Sequence, residues 1–174
     1  IALTMTNSKY ENAHYYEYFL PELISFSKSE PIELSEKFSE EFREKRRRGE
    51  NDKYICRLIQ NDSVEDFVSH ITHENIPLSS TIVPSIFETN PFLYKNKPSL
   101  MEYSAFFGSR EIFQYLFMNN VDLTPSLWAY AIHGNNPEMI HFLEENEVKL
   151  EYKENFNASI KCHHNEIADY IQEN

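Results

Sequence analysis

The sequence predicts an all-α fold, an α-solenoid of stacked helix-turn-helix repeats that follows an N-terminal helical region. Residues 98–123 and 125–150 carry this prediction, because nine of their 26 paired positions are identical at a period of 27 residues. Self-similarity at a fixed period is typical of a repeat array, in which neighbouring repeats bury one continuous core. Apolar residues in both copies also recur at spacings of three and four, as on one face of a helix.

Each copy is predicted to form two short helices joined by a tight turn. Pro98 and Pro125 suit the first turn of a helix, where a missing N–H costs nothing. Gly108 is expected to end the first helix, and Ser109 and Asn136 to cap the second one. The second helices share an amphipathic face, formed by Ile112, Tyr115 and Leu116 in one copy and by Met139, Phe142 and Leu143 in the next.

Residues 1–50 are predicted as an N-terminal helical region that packs on the array. The aromatic residues between Tyr10 and Ser29 have helical spacing, which favours a core over a contact surface. Pro31 opens a second helix that ends with the cationic run 43–48 and Gly49, both suited to a helix C-terminus. A nuclear-import signal or an RNA contact is the alternative interpretation of that run, although several glutamates lie beside it.

Residues 51–174 are predicted as the array itself. Its parts are a degenerate first repeat at 52–79, an insertion at 80–97, two full repeats at 98–124 and 125–151, and a partial repeat at 152–174. Within the insertion, the prolines predict a short helix near 84–88 and then an irregular apolar segment at 92–94. The insertion is either a functional feature or a plug that covers a mismatch between repeats.

Several residues of the first copy resemble an ankyrin repeat. These are the small pair Ser104-Ala105, the turn at Gly108, the acidic Glu111 and the ending Val121-Asp122-Leu123, and the second copy follows more loosely. The closest resemblance is to divergent, expanded ankyrin proteins of protists, in which a helical region of unknown function precedes the repeats. The family repeat is about 33 residues long and includes a β-hairpin finger, so a 27-residue repeat implies shortened or missing fingers.

Composition excludes several classes of function. A net charge of −12 argues against nucleic-acid and anionic-membrane partners, because phosphates would be repelled. Three glycines are too few for phosphate-cradling or dinucleotide-binding loops, so no cofactor is predicted. Cys162 beside His163 and His164 does not have the spacing of a zinc site, and no metal is predicted. Two cysteines and a start unlike a signal peptide indicate a cytoplasmic protein.

The predicted function is that of a protein-interaction module without enzymatic activity. The resemblance to ankyrin repeats implies that a partner polypeptide binds the concave surface formed by the first helices, and the acidic surface suits a basic partner. Packing of Tyr103 and Tyr130 between repeats is an equally weighted alternative for those two residues. The residues expected in the groove are Glu102, Tyr103, Phe106, Trp128, Ala129, Tyr130 and His133.

Two other functions remain as alternatives. One is a scaffold that self-associates through an open apolar face on the last helix, at Ile167, Tyr170 and Ile171. The other is an enzyme, or a regulatory segment of one, which a deep polar pocket with strongly shifted carboxyl or His pKa values would support.

Overall fold

The structure is a computed structural model that describes residues 16–26 and 39–173. These residues confirm the all-α class, since an isolated bridge between Thr81 and Ser99 is the extent of β-structure among them. The helices of the described residues are α1 (Leu20–Phe26), α2 (Glu40–Arg48), α3 (Tyr54–Gln60), α4 (Val64–His73), α5 (Pro91–Asn96), α6 (Leu100–Phe107), α7 (Arg110–Met118), α8 (Leu127–His133), α9 (Pro137–Glu145), α10 (Tyr152–Lys161) and α11 (Asn165–Glu173).

The described residues fall into two compact units. The first contains residues 16–26, 39–52 and 84–94, and the second contains residues 53–83 and 95–173. The predicted helices that start at Tyr10 and Pro31 lie partly outside the described residues. Among the described helices, none combines the length and apolar composition that a bilayer crossing requires.

In the first unit, α2 ends where the sequence predicts, but it begins at Glu40, so the single helix predicted from Pro31 to Gly49 is not continuous at Ser39. Ser39 caps the N-terminus by accepting a hydrogen bond from the Phe42 N–H at 3.2 Å. Gly49 ends the helix in the left-handed conformation, with φ of 67°, as predicted. Glycine suits this position because a Cβ destabilises the left-handed backbone.

The cationic run of α2 is matched by carboxylates. Arg46 donates to Glu22 at 2.8 Å, and its guanidinium lies 4.8 Å from the ring centre of Tyr18. Lys45 forms ion pairs with Glu41 at 2.9 Å and Asp52 at 3.0 Å. Arg43, Arg47 and Arg48 also pair with glutamates of the same helix. These pairs offset much of the run's charge, which weakens its interpretation as an RNA contact or import signal.

Residues 84–90 are fastened to the turn that follows α2. The backbone N–H and the hydroxyl of Thr89 both donate to the Gly49 carbonyl, at 3.0 and 2.8 Å. The Ser85 hydroxyl donates to Asp52 at 2.5 Å, and the ring centres of Phe42 and Phe87 are 5.3 Å apart. Much of the predicted insertion therefore belongs to the first unit.

The predicted local structure of the insertion is wrong. Residues 84–88 contain a turn rather than a helix, and the helix α5 begins at Pro91. The cause is the Asn90-Pro91 pair, in which the Asn90 side chain accepts from the Phe92 N–H at 3.0 Å. Asparagine followed by proline is a strong helix start, because proline suits the first helical position.

The second unit consists of four helical hairpins, α3–α4, α6–α7, α8–α9 and α10–α11, with the same turn. At each turn a backbone N–H donates to a carbonyl five residues earlier, and the residue before the donor has a positive φ. The bonds are Ser63 to Leu58, Ser109 to Ser104, Asn136 to Ala131 and His164 to Ser159, and the positive-φ residues are Asp62, Gly108, Asn135 and His163. The hairpins thus share one backbone geometry although their turn residues differ.

Consecutive hairpins pack against each other. Among the first helices, α3 contacts α6, α6 contacts α8, and α8 contacts α10. The second helices α7 and α9 meet through Phe113 and Phe142, whose ring centres are 5.3 Å apart. Residues 98–124 and 125–151 therefore lie side by side. Their shared interior includes the buried side chains of Leu100, Ile112, Leu116, Leu127, Ile132 and Leu143.

The two repeat prolines lie just before the helices rather than in their first turns. Helix α6 begins at Leu100 with Ser99 as its cap, and α8 begins at Leu127. Pro98 is buried, and its carbonyl accepts a hydrogen bond from Ile82 at 2.7 Å.

Candidate protein-interaction surface

Three of the seven predicted groove residues lie in the interior. Tyr103, Trp128 and Tyr130 are 0, 3 and 5 % exposed. The Tyr103 hydroxyl accepts from the Gln60 side chain at 2.9 Å, and the Trp128 indole N–H donates to the Val148 carbonyl at 3.0 Å. This corrects the prediction that these side chains point into the groove, and for the two tyrosines the packing alternative describes the structure.

The Tyr130 ring is held between hairpins in its neutral form. Burial raises the pKa of its hydroxyl strongly, and the nearby charge of Glu102 raises it further. A buried ring of this size contributes to stability chiefly through the apolar area that it removes from water.

The Glu102 side chain forms hydrogen bonds at the start of two helices, α6 and α8. One carboxylate oxygen accepts from the Ser99 N–H at 2.8 Å, while the Ser99 hydroxyl accepts from the Glu102 N–H at 3.2 Å. The other oxygen accepts from the Ser126 hydroxyl at 2.6 Å. This reciprocal capping box fixes the direction of the carboxylate, because both of its oxygens are held.

Phe106, Ala129 and His133 are half-buried, as is Glu102. The Nδ1 atom of His133 lies 3.3 Å from the Cys162 thiol. Burial lowers the pKa of His133 and raises the pKa of Cys162, so both groups are favoured in their neutral forms. A neutral thiol is a poor nucleophile and a poor metal ligand. Among the described residues, no group of three His, Cys, Asp or Glu side chains is arranged to hold a metal ion.

Side chains from the turns tie the first three hairpins together. The Asp62 carboxylate accepts from the backbone N–H groups of Glu111 and Ile112, both at 3.0 Å, and so caps α7 of the following hairpin. The Ser109 hydroxyl donates instead to the Ile59 carbonyl at 2.5 Å. Ser109 stands at the predicted cap position, but its side chain reaches the preceding hairpin.

Asn136 behaves in the same way. Its side-chain amide donates to the carbonyls of Ala105 and Phe106, at 3.2 and 2.5 Å. A Cβ on Gly134 would lie 1.8 Å from the Phe106 carbonyl oxygen, so this close approach requires glycine. Sequence spacing identified the turn residues, but it could not show that their polar groups act across hairpins.

A cleft of about 540 Å³ lies beside the connectors that follow α4 and α7. Its ionisable residues are Glu102 and Asp122, both acidic, and no Lys, Arg or His lines it. The other lining residues are Leu78, Ser79, Ser99, Met101, Asn119, Asn120, Val121, Thr124, Ser126 and Leu127. Of the predicted set, Glu102 alone lines this cleft.

Comparison of the chain with protein-family models, with curated proteins and with solved structures found no match. The resemblance to ankyrin repeats therefore stays a prediction from the sequence.

The last hairpin differs from its prediction. Ile167 and Ile171, expected to be open, are 5 and 1 % exposed. Tyr170 is half-buried, with its ring 5.3 Å from that of His141 and its hydroxyl donating to Glu144. The isoleucines therefore face the interior, and Tyr170 contacts α9 of the preceding hairpin. The exposed apolar side chains of this hairpin are on α10 instead, at Tyr152 and Ile160.

Proposed function

We propose that this chain is a protein-interaction module that binds an extended, basic segment of a partner in the cleft of Glu102 and Asp122. The observation that carries the proposal is the charge of the cleft, whose ionisable residues are both carboxylates. Lysine or arginine side chains of a partner would complement that charge. The neutral amides and hydroxyls of the lining can hydrogen-bond an extended backbone.

The support for binding rather than chemistry is the rigidity of the cleft wall. Glu102 is held by Ser99 and Ser126, and the neighbouring hairpins are joined by turn hydrogen bonds. A preorganised surface loses little conformational entropy on binding. Stacked hairpins of one geometry suit a binding surface, because each further hairpin extends the surface without changing its neighbours.

The ankyrin-type concave surface remains part of the proposal in a reduced form. Phe106, Ala129 and His133 are half-buried and can contribute secondary contacts, whereas the buried tyrosines and tryptophan support the wall from inside. We assign the main contact to the cleft, because it has a volume of about 540 Å³ and its ionisable lining residues all carry the same sign of charge.

The test uses two labelled peptides, one of alternating Lys and Ser and one of alternating Glu and Ser. We expect the full chain to bind the lysine peptide and Asp122→Lys to weaken that binding by about fivefold at low salt, since an exposed charge contact contributes up to about 1 kcal/mol. Fluorescence anisotropy at two salt concentrations measures the effect.

The matched control is Glu145→Lys, which makes the same charge change at an exposed position outside the cleft. It should leave the affinity nearly unchanged. An equal loss in both variants would show that net charge, not the cleft, attracts the peptide, and the proposal would then be rejected.

A further inference from the structure

Helix α10 carries an exposed apolar row on the last hairpin. Tyr152 and Ile160 are 50 and 48 % exposed, and Phe156 between them is half-buried. The rings of Tyr152 and Phe156 stack in parallel, with their centres 5.8 Å apart. Spacing of four residues places all three side chains on one face of the helix.

Two of these three positions, those of Phe156 and Ile160, are buried in the two preceding hairpins. Trp128 and Ile132 correspond to Phe156 and Ile160, and they are 3 and 0 % exposed where α8 packs against α10. Met101 and Ala105 of α6 are likewise buried where that helix meets α8. Phe156 and Ile160 therefore occupy positions that pack against a helix in the two preceding hairpins.

The charge beside the row is positive. Lys153, Asn157 and Lys161 form the neighbouring row, again at spacings of four, and all three are exposed. Within the described part of the chain, neither lysine forms an ion pair. The exposed carboxylates nearby, Glu151 and Glu154, belong to other rows of the helix.

We propose that this end face, Tyr152, Phe156 and Ile160 with Lys153 and Lys161, binds an amphipathic helix that bears carboxylates beside its apolar row. The apolar row would bury the apolar face of the partner helix, and the two lysines would favour a partner with carboxylates beside that face. A second copy of this chain fits less well, because pairing two such faces brings lysines against lysines. The proposal is independent of the acidic cleft, since it concerns a different surface and the opposite charge.

The experiment compares two synthetic helical peptides that share a Leu and Ala face, one flanked by Glu and the other by Lys. The full chain should bind the Glu-flanked peptide about tenfold more tightly, as expected for two exposed ion pairs. The double variant K153E/K161E should reverse that preference. Calorimetric titration measures both affinities.

Two single variants locate the binding. Ile160→Asp should abolish binding of the Glu-flanked peptide, whereas Met118→Asp, at a side chain 73 % exposed on α7, should not change it. Asp122→Lys should also leave it unchanged, which separates this proposal from the cleft. Thermal melts by circular dichroism establish that each variant is folded.

Three results would overturn the proposal. The first is equal affinity for the two peptides, and the second is no binding of either one. The third is a mass that rises with protein concentration in light scattering and returns to the monomer value in Ile160→Asp, because a second copy would then cover the face.

Discussion

At the scale of single residues, the hairpin turns depend on left-handed backbone at positions that are mostly not glycine. Asp62, Gly108, Asn135 and His163 have φ between 50 and 67° at equivalent places. A non-glycine residue in this conformation is destabilised by roughly 1–2 kcal/mol. Asp62 offsets that strain by capping α7 with its carboxylate, whereas the exposed His163 side chain makes no such contact within the described residues.

The pair Asp62→Gly and His163→Gly separates backbone strain from capping. Both changes relieve the left-handed conformation, but only the first removes two hydrogen bonds to N–H groups. We expect His163→Gly to be neutral or stabilising by up to about 1 kcal/mol. The free energy of unfolding of Asp62→Gly should be lower than that of His163→Gly by about 1–2 kcal/mol, because only Asp62→Gly loses an N-cap. Urea unfolding followed by circular dichroism gives both free energies, and equal values would contradict the capping role.

At the scale of elements, the helices obtain their N-terminal caps in different ways. Ser99 caps α6 within the same helix, through the capping box with Glu102. Ser63 occupies the same position before α4, but its side chain makes no capping bond. The first four N–H groups of a helix have no partner within the helix. A cap residue whose side chain accepts a hydrogen bond from one of them therefore stabilises the fold more than a residue of the same type that makes no such bond.

Ser99→Ala should therefore lower the free energy of unfolding by about 1 kcal/mol. The control Ser63→Ala should change it by less than about 0.5 kcal/mol, because no cap bond is lost. Hydrogen exchange of the first-turn amides of α6 reports the local effect. Equal destabilisation by the two substitutions would show that the capping box has no special weight.

At the scale of the whole second unit, stability depends on how many neighbours each hairpin has. Ile132 and Ile160 are equivalent positions, but the first is 0 % and the second 48 % exposed. Repeat arrays gain much of their stability from interfaces between neighbours. The same side chain therefore contributes more to the free energy of unfolding where a neighbouring hairpin covers it than where it is exposed.

Ile132→Ala should destabilise the chain by about 2–5 kcal/mol, as cavities in a packed core do. Ile160→Ala should cost less than about 1 kcal/mol, because half of that side chain is already in water. Thermal and urea unfolding of the two variants measure the difference. Similar losses would mean that Ile160 is covered in solution and that the end face is not open.

The sequence by itself determined the helical class, the repeat period and most turn positions. Those features follow from local chemistry: apolar residues recur at spacings of three and four, and Gly108 stands where φ is positive. The period is visible because the two full copies must present the same face to equivalent neighbours.

Tertiary structure alone decided which side chains are covered and which are available. Tyr103 and Tyr130 were as compatible with a groove as with a core, and packing of adjacent hairpins placed them inside. Ser109 and Asn136 were recognisable as turn residues, but their partners lie in the neighbouring hairpin. Sequence spacing describes one helix at a time, whereas burial and hydrogen bonding between hairpins depend on a neighbour whose position only the folded chain defines.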